Sequence, residues 1–306
     1  MNKYDVIVLG SGPAGLTAAI YTSRAELKTL ILAGNEPGGQ LTTTTDVENF
    51  PGFPEGIMGP ELMTKMIEQG KRFGGELKNQ SADSIEVIND KEFKVKSGDE
   101  VFEAKSIIIA TGATAQWLGL DSEQKMRGKG VSACATCDGA FFKDKKVIVV
   151  GGGDAAMEEA NYLTKFASEV IVLVRKKKED LKASKIMQER AMNNPKVTFV
   201  FSSELGAVLG ENVVNGVKII NNETKEESEI EVHGVFVAIG HKPNTEFLQG
   251  VVVLEKEYIA VTDNTKTSQA GIFAAGDVAD YRYRQAVTAA GLGCMAALDV
   301  EKYLAE

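Results

Sequence analysis

The chain has 306 residues, of which 43% are hydrophobic and 25% are charged, and its formal net charge is −9. This composition is ordinary for a packed globular protein of about two domains. The acidic balance argues against unassisted binding to nucleic acid, and no apolar run approaches the ~18 residues that a membrane helix needs. Only three cysteines are present, too few for a disulfide scaffold. The N-terminus lacks an apolar stretch followed by a cleavage site, so no secretion signal is predicted. With so few cysteines, a cytoplasmic setting is the expected default.

The first elements follow the order strand, turn, helix, strand. An apolar, β-branched run at residues 4–10 ends in a glycine that opens GSGPAG, a helical sequence follows, and a second apolar run lies at 29–32. Continuous apolar runs are typical of parallel strands that are buried on both faces. The run SIIIATGA at 106–113 closes this βαβ unit as a further buried strand that stops at a glycine.

The glycine turn has the spacing Gly10-x-Gly12-x-x-Gly15. In a dinucleotide fingerprint the first glycine permits the tight turn, the second lets the backbone approach a pyrophosphate, and the third lets the helix pack on the strand. Its place between a strand and a helix favours dinucleotide binding over a merely structural turn. The fingerprint also expects an acidic residue about 20 positions later, and Glu36 is the nearest candidate. We therefore expect backbone groups of residues 33–40 to supply the ribose contact.

The pair Cys134-x-x-Cys137 is the sharpest chemical signal. A two-residue gap allows a disulfide and a reactive thiolate beside its resolving partner. The alternatives are a zinc half-site and inert core thiols. A structural zinc site needs about four ligands, and the remaining candidates have no motif spacing: Cys294, His233 and His241. The sequence therefore predicts a redox pair and no metal site.

Asp138 and Cys294 are two further side chains whose chemistry bears on the pair. Asp138 directly follows the pair, where a carboxyl is a candidate general acid, although an aspartate that merely enters a turn has the same spacing. Cys294 lies in a small-residue helical sequence and is predicted to be a packed core thiol.

The second half of the chain repeats the first pattern. An apolar run at 145–151 opens the turn Gly151-x-Gly153-x-x-Ala156, in which alanine at the third place is a tolerated variant. A helical sequence and another apolar run at 170–174 follow, and GVFVAIGH at 234–241 echoes SIIIATGA. The repeat predicts a second dinucleotide-binding unit.

Basic residues occupy the position after the second strand of this unit, where an acidic residue would select NAD. Cationic groups there suit the 2′-phosphate of NADP, whereas a solvated basic patch is the alternative. The sequence favours NADP, through the cluster Arg175, Lys176, Lys177 and Lys178 with Lys182 as a further charge.

The repeat predicts an α/β protein with two Rossmann-like, three-layer dinucleotide-binding domains, the second inserted in the first. The predicted bounds are 1–114 and 244–306 for the interrupted domain and 115–243 for the inserted one. Glycine and proline residues lie at both places where the chain is predicted to cross between the two domains.

Together these motifs resemble low-molecular-weight thioredoxin reductase over essentially the whole chain. The shared segments are GSGPAG, PGGQL, VENFPGF, ATGA, GVSACATCDGAFF, GGGDAAMEEA, AIGHKPNT and FAAGDVADYRYRQAVTAAGLGCMAALD. The CATCD block in the second domain, together with RYRQA near the C-terminus, is specific to this family.

The resemblance implies FAD in the interrupted domain, NADPH in the inserted domain, thioredoxin as the partner and a homodimer. The implied cofactor-binding positions of the interrupted domain are Gly10, Ser11, Gly12, Pro13, Ala14, Gly15, Ala33, Gly34, Asn35, Glu36, Pro37, Gly38, Gly39, Gln40, Asn49, Ala82, Ala110, Gly112, Gly276, Asp277, Arg284, Gln285 and Ala286. Those of the inserted domain are Gly151, Gly152, Gly153, Asp154, Ala155, Ala156, Arg175, Lys176, Lys177, Lys182 and Ile239.

The resemblance also implies roles for the FAD contacts. Residues 11–14 would hold the pyrophosphate and residues 33–40 the adenosine side, while Ala82 would contact adenine through its backbone. Asn49 would lie near the flavin.

Further roles concern the ring, the ribityl chain and the redox pair. Asp277 would meet the ribityl chain and residues 284–286 the ring region. Cys134 and Cys137 would exchange electrons, with Cys137 nearer the flavin, and Asp138 would donate the proton.

The basic cluster departs from the family pattern, since the usual His-Arg-Arg is Arg175-Lys176-Lys177 and a later arginine is Lys182. Lysine binds phosphate as a point charge, without the two-pronged geometry of arginine. Because the charge is retained, NADPH remains the expected electron donor.

The implied reaction passes electrons from NADPH through the flavin to the cysteine pair and on to thioredoxin, with a rotation of the inserted domain. Alternatives are a ferredoxin–NADP reductase of similar architecture, a peroxiredoxin-reducing flavoprotein, a dithiol oxidase and a non-enzymatic redox sensor. The cysteine pair counts against the first, and the strand beginning at Tyr4 leaves no room for the extra N-terminal domains of the second.

Overall fold

The structure is a computed structural model that describes residues 2–44 and 46–306. The chain divides into two compact units, one made of Met1–Thr114 with Lys242–Glu306 and the other of Ala115–His241. The chain returns to the first unit at Lys242, whereas the sequence-based boundary lay at 243/244.

Strands and helices are numbered in chain order. The strands are β1 (Lys3–Leu9), β2 (Thr29–Leu32), β3 (Asp46–Val47), β4 (Ile57–Met58), β5 (Glu76–Lys78), β6 (Ser84–Asn89), β7 (Glu92–Ser97), β8 (Glu100–Ile109), β9 (Ala113–Ala115), β10 (Val131–Ser132), β11 (Lys146–Val150), β12 (Glu169–Leu173), β13 (Val197–Val200), β14 (Ser203–Leu209), β15 (Gly216–Asn221), β16 (Glu227–Ile230), β17 (Gly234–Val237), β18 (His241–Pro243), β19 (Leu254–Glu255), β20 (Tyr258–Ile259) and β21 (Ile272–Ala274). The helices are α1 (Pro13–Arg24), α2 (Gly59–Arg72), α3 (Asp121–Met126), α4 (Ala135–Asp138), α5 (Asp154–Leu163), α6 (Lys185–Met192) and α7 (Ala286–Ala305).

The first unit is built on one sheet with the strand order β5-β2-β1-β8-β7-β6, and β21 pairs with β8. Strands β5, β2, β1, β8 and β21 run parallel, while β7 and β6 form an antiparallel extension. Alternate side chains of β1 lie in two hydrophobic cores, one on each face of the sheet. Val6 and Val8 pack against helices α1, α2 and α7, whereas Ile7 and Leu9 lie in the core on the other face. Burial on both faces explains why this strand is apolar throughout.

The second unit contains a parallel sheet with the order β10-β17-β11-β12-β13. Val147 and Val149 of β11 pack against helix α5, whereas Ile148 and Val150 face the antiparallel sheet β14-β15-β16. A helical layer, a parallel sheet and an antiparallel sheet therefore form three layers. Sequence reasoning did not assign β14–β16, because their pattern is largely half-buried or polar.

The prediction of an α/β protein with two Rossmann-like units, the second inserted in the first, is confirmed. In the part of the chain that the structure describes, no helix is both long enough and apolar enough to cross a membrane.

Candidate functional site

The first glycine loop joins β1 to α1. Gly10 has φ +108°, a conformation that side chains rarely adopt, and a Cβ there would overlap the carbonyl oxygen of Ala110. A Cβ at Gly15 would overlap the carbonyl oxygen of Gly10. At Gly12, by contrast, a Cβ would meet no atom within 4 Å. The protein's own packing therefore requires the first and third glycines, while the second leaves open space at the helix start.

A buried serine ties this loop to the segment after β2. The Ser11 hydroxyl donates to the carbonyl oxygen of Ala33 at 2.9 Å and accepts a hydrogen bond from the amide of Gly38, also at 2.9 Å. A Cβ at Gly39 would lie 3.4 Å from the Cα of Gly12. Segment 33–40 therefore forms a wall of the open space beside the glycine loop.

The remaining positions of that wall join neighbouring segments. The amide of Gly34 donates to the carbonyl oxygen of Gln80 at 3.0 Å, which brings Ala82 and its neighbours to this loop. The side-chain amide of Gln40 donates to the carbonyl oxygen of Ala113. The predicted adenosine-side positions 33–40 therefore form one segment, and the segment that contains Ala82 is joined to it through Gln80 and Ser81.

The carboxyl ends of β1, β8 and β21 meet at one edge of the sheet, because these strands are parallel neighbours. Ala110 and Gly112 follow β8, and Gly276 and Asp277 follow β21. A Cβ at Gly276 would lie only 2.8 Å from the Cβ of Ala14 in α1. Ligands of open α/β sheets bind outside this edge.

Asp277 is half-buried at this edge. Burial raises its pKa from 3.8 to about 6, the nearby carboxylate of Asp280 adds to the rise, and the Arg284 guanidinium opposes it. A carboxyl that holds its proton near neutral pH can donate as well as accept a hydrogen bond.

Asn49 and Gln285 are brought together from distant parts of the chain, and the amide of Asn49 donates to the side-chain oxygen of Gln285 at 3.4 Å. Gln285 precedes Ala286, where α7 begins. The predicted flavin-side positions Asn49, Asp277, Arg284, Gln285 and Ala286 therefore lie in one region of the first unit, but no contact of theirs identifies a ligand.

Cys134 and Cys137 form a disulfide with their Cα atoms 5.3 Å apart. Cys134 is half-buried and lies immediately before the short helix α4, while Cys137 is exposed within that helix. The amides of Cys137 and Asp138 both donate to the carbonyl oxygen of Cys134, at 3.2 and 3.1 Å. The turn that closes the disulfide is thus held by backbone hydrogen bonds, and Cys137 is accessible to another molecule.

Asp138 and Ser132 lie beside the disulfide. Burial raises the pKa of the half-buried Asp138 carboxyl, and its hydrogen bond with the Ser132 hydroxyl opposes that rise. Ser132 Oγ also accepts a hydrogen bond from the amide of Cys134 at 3.0 Å. Sequence reasoning did not single out Ser132; its only signal was its position two residues before the pair.

The second glycine loop joins β11 to α5 and repeats the features of the first. A Cβ at Gly151 would overlap the carbonyl oxygen of Ala238, whereas one at Gly153 would meet no atom within 4 Å. Ala156 is fully buried in the third position. Ile239 follows β17 at the same sheet edge, which therefore gathers Gly151, Gly152, Gly153, Asp154, Ala155, Ala156 and Ile239.

The segment around Lys182 is attached to this loop. The amides of Lys182 and Ala183 both donate to the carbonyl oxygen of Gly152 at 3.1 Å. The amide of Ser184 donates to the carboxylate of Asp154 at 2.6 Å. Lys182 is therefore placed beside the loop by its backbone.

Arg175, Lys176, Lys177 and Lys178 follow β12, and all four side chains are exposed. Lys177 Nζ forms an ion pair with Glu223 at 3.1 Å, and that carboxylate raises the lysine's pKa. Sequence reasoning missed Glu223, which comes from the turn between β15 and β16. The basic cluster therefore already contains a counter-ion.

The redox pair and the second glycine loop are not adjacent. Gly139, directly after α4, lies against Tyr162 and Leu163 near the C-terminal end of α5, whereas the glycine loop precedes the N-terminal end. A helix of this length spans ~15 Å. Among residues 2–44 and 46–306, no group of three or more His, Cys, Asp or Glu side chains is arranged to hold a metal ion.

Two glycine loops of the dinucleotide type and an accessible disulfide in one chain define an oxidoreductase that couples a nucleotide to disulfide chemistry. The sequence profile of the pyridine nucleotide-disulphide oxidoreductase family matches residues 4–293. The thioredoxin reductase of Mycolicibacterium smegmatis is 51% identical, with 99% of this chain and 97% of the relative covered. That of Rickettsia conorii is 50% identical, with 98% and 97% covered.

Solved structures agree with the sequence comparisons. The crystal structure of thioredoxin reductase from Streptococcus pyogenes superposes with a TM-score of 0.94 at 42% identity, covering 99% of each chain. The chain belongs to the pyridine nucleotide-disulphide oxidoreductase family and, within it, to the thioredoxin reductases. The resemblance inferred from the sequence motifs is thus confirmed, and so is the prediction of a disulfide oxidoreductase. Membership implies the use of a flavin and a pyridine nucleotide, while the roles of individual side chains stay predictions.

Proposed function

We propose that this protein is a thioredoxin reductase that uses NADPH, FAD and the Cys134–Cys137 disulfide to reduce oxidised thioredoxin. The observation that carries the proposal is the accessible disulfide, built into the same chain as two dinucleotide-type loops. The similarity to thioredoxin reductases over nearly the whole chain supports thioredoxin as the substrate.

The first unit is the FAD site. The open space at Gly12, between α1 and segment 33–40, fits a pyrophosphate that the helix N-terminus and backbone amides would stabilise. Asn49, Asp277 and Gln285 supply polar groups toward the flavin end. Bound there, FAD would supply the two-electron redox chemistry that links the hydride of NADPH to the disulfide.

The second unit is the NADPH site. Gly153 leaves the same open space beside α5, and the basic side chains after β12 give it positive charge for a 2′-phosphate. Lys182 lies beside the same loop because its backbone amide donates a hydrogen bond to Gly152. NAD lacks the 2′-phosphate, so these charges do not favour its binding in the same way.

The cysteines carry the last step. Reduction of the disulfide yields two thiols, one of which attacks the disulfide of thioredoxin as a thiolate and forms a mixed disulfide. The second thiol then displaces reduced thioredoxin and restores the Cys134–Cys137 bond. Asp138, whose pKa burial raises, lies beside the pair and is the proposed proton donor to the departing thiolate.

The test uses the flavin-loaded enzyme, NADPH or NADH, and oxidised thioredoxin with a thiol-reactive dye. Wild type should show thioredoxin-dependent turnover that prefers NADPH. Cys137→Ser should abolish it. Cys294→Ser should not, because it changes the free thiol of α7, which is only partly buried and not fully packed in the core as the sequence predicted. Flavin reduction without thioredoxin turnover would move the search to another acceptor, and equal use of NADH would refute the NADPH assignment.

The inserted unit carries both the disulfide and the second glycine loop, so it must present them in turn to the flavin site. We expect it to rotate on the two crossings between the two steps. A cleavable crosslink between the units should stop turnover until it is cut. Full turnover with the crosslink intact would show that no rotation is needed.

A homodimer follows from family resemblance alone, while a cytoplasmic location remains the expectation drawn from the small number of cysteines. Light scattering should give twice the chain mass of 32.8 kDa. A single-chain mass at working concentration would contradict the dimer.

A further inference from the structure

We infer that Glu223 is a specificity-determining residue whose carboxylate competes with the 2′-phosphate of NADPH for Lys177, and so weakens the preference of this enzyme for NADPH. The inference rests on the proposed function, because it requires the basic cluster after β12 to be the 2′-phosphate site.

The turn that carries Glu223 is held against the basic cluster by hydrogen bonds to backbone carbonyl oxygens. The side-chain amide of Asn222 donates to the carbonyl oxygen of Arg175 at 3.0 Å. The amide of Ser202 donates to the carbonyl oxygen of Lys176 at 2.9 Å, and the amide of Asn222 donates to that of Ser202 at 2.7 Å. The turn that carries Glu223 therefore lies directly against the basic cluster.

The conformation of the turn is also set locally. Asn221 Oδ1 accepts hydrogen bonds from the amides of Glu223 and Thr224, at 2.9 and 3.0 Å. An asparagine side chain that accepts from the residues two and three positions later is a common way to stabilise a turn. The Glu223 backbone is thus held in place before its side chain makes any contact.

One carboxylate oxygen of Glu223 makes two polar contacts. It lies 3.1 Å from Lys177 Nζ and accepts a hydrogen bond from Ser202 Oγ at 3.1 Å. These contacts lower the pKa of Glu223, the Lys177 hydrogen bond most of all, so the carboxylate is charged at neutral pH. Glu179 and Asp180 also act electrostatically on Lys177, but at longer range.

A phosphate that reaches Lys177 must displace this carboxylate or share the lysine with it. Both alternatives place two negative groups close together, which costs free energy. NADH carries no 2′-phosphate and so escapes this cost. Because the Lys177 and Glu223 side chains are 63% and 53% exposed, water and salt screen the pair, and the expected effect is about two- to five-fold.

The test is Glu223→Gln, which keeps the shape of the side chain and removes its charge. In the flavin-loaded enzyme, calorimetric titration should show about two- to five-fold tighter binding of NADP⁺ and unchanged binding of NAD⁺. The kcat/KM for NADPH should rise by the same factor, and the gain should shrink as salt is added.

Two further variants separate a direct competition from a general charge effect. Glu179→Gln removes one negative charge from the same neighbourhood and should give a smaller gain. In a Lys177→Ala background the Glu223→Gln substitution should no longer tighten NADP⁺, because its partner is gone.

The outcomes distinguish this inference from the proposal on which it rests. If Lys177→Ala weakens NADP⁺ binding but Glu223→Gln leaves it unchanged, the competition is refuted and the 2′-phosphate site stands. Equal tightening of NADP⁺ and NAD⁺ would also refute it. If wild type binds both nucleotides equally and Lys177→Ala changes neither, the 2′-phosphate site itself is misassigned.

Discussion

At the scale of single residues, Asp138 has the most distinctive surroundings near the chemistry. It lies next to the disulfide, burial raises its pKa, and the Ser132 hydroxyl opposes the shift. An exposed aspartate would lose its proton at a lower pH. This position therefore suits a proton donor to a departing thiolate.

Asp138→Asn should lower thioredoxin-dependent turnover by about 100-fold, because positioned acids contribute at least that factor. Wild-type turnover should fall as the pH rises through the raised pKa of Asp138, where the acid form disappears, and the variant should lack this fall. Ser132→Ala removes the hydrogen bond that lowers the pKa, so the fall should move to higher pH. The measurement is the pH profile of kcat, and an unchanged profile in Asp138→Asn would exclude the role.

The raised pKa of Asp277 makes the stability of the fold depend on pH. Its folded-state pKa of about 6 exceeds the ordinary 3.8, so between these values the folded chain binds a proton that the unfolded chain has released. The contribution of Asp277 to the free energy of unfolding therefore falls as the pH rises from 3.8 to about 6. Above this interval the ionised carboxyl destabilises the fold by the full amount, of the order of 3 kcal/mol.

The neutral Asp277→Asn variant avoids that cost. We expect it to be more stable than wild type above pH 6, with a difference that shrinks as the pH falls toward 3.8. Urea unfolding of the flavin-free protein at several pH values measures this, with Asp99→Asn at an exposed turn as the control. A difference that is constant with pH would show that titration of Asp277 is not its cause.

At the scale of elements, each nucleotide loop contains one glycine that the fold itself does not need. A Cβ at Gly12 or Gly153 would meet open space, whereas one at Gly10, Gly15 or Gly151 would overlap backbone. The open positions are thus those where a ligand would approach.

Gly12→Ala should therefore fold but bind FAD about tenfold or more weakly, because the added methyl fills the approach to the pyrophosphate. Gly153→Ala should leave FAD bound and weaken NADP⁺ instead. Each variant is the control for the other, with the flavin absorbance and calorimetric NADP⁺ titration as readouts. If either substitution affected both ligands equally, the assignment of one loop to each nucleotide would be wrong.

At the scale of the whole molecule, each compact unit has hydrophobic cores of its own. A ligand that binds one unit should therefore stabilise that unit. NADP⁺ at about 100 times its dissociation constant should add about 2.7 kcal/mol to the unit that contains β11.

Hydrogen exchange followed by mass spectrometry can test this on the two central strands. NADP⁺ should slow exchange in Lys146–Val150 and leave Lys3–Leu9 unaffected, while FAD should do the reverse. Equal protection of both strands by one ligand would mean that the units unfold together.

The sequence by itself determined the features that depend on local conformation. The spacing of Gly10, Gly12 and Gly15 after an apolar run predicts strand, turn and helix. Gly10 takes a φ of +108° and Gly15 lies against Gly10, whereas Gly12 leaves the open space at the helix start. The disulfide was also predictable, since only two residues separate Cys134 from Cys137 and the turn between them fixes their distance.

Only the tertiary structure decided which distant segments meet. It placed Asn49 beside Gln285 and Glu223 beside Lys177. It also revealed the antiparallel sheet β14–β16, whose turn carries Glu223. The local periodicity of the sequence indicates whether a residue is buried and in which kind of element it lies. Contacts between residues far apart in the chain depend on strand order and packing, which no short sequence pattern contains.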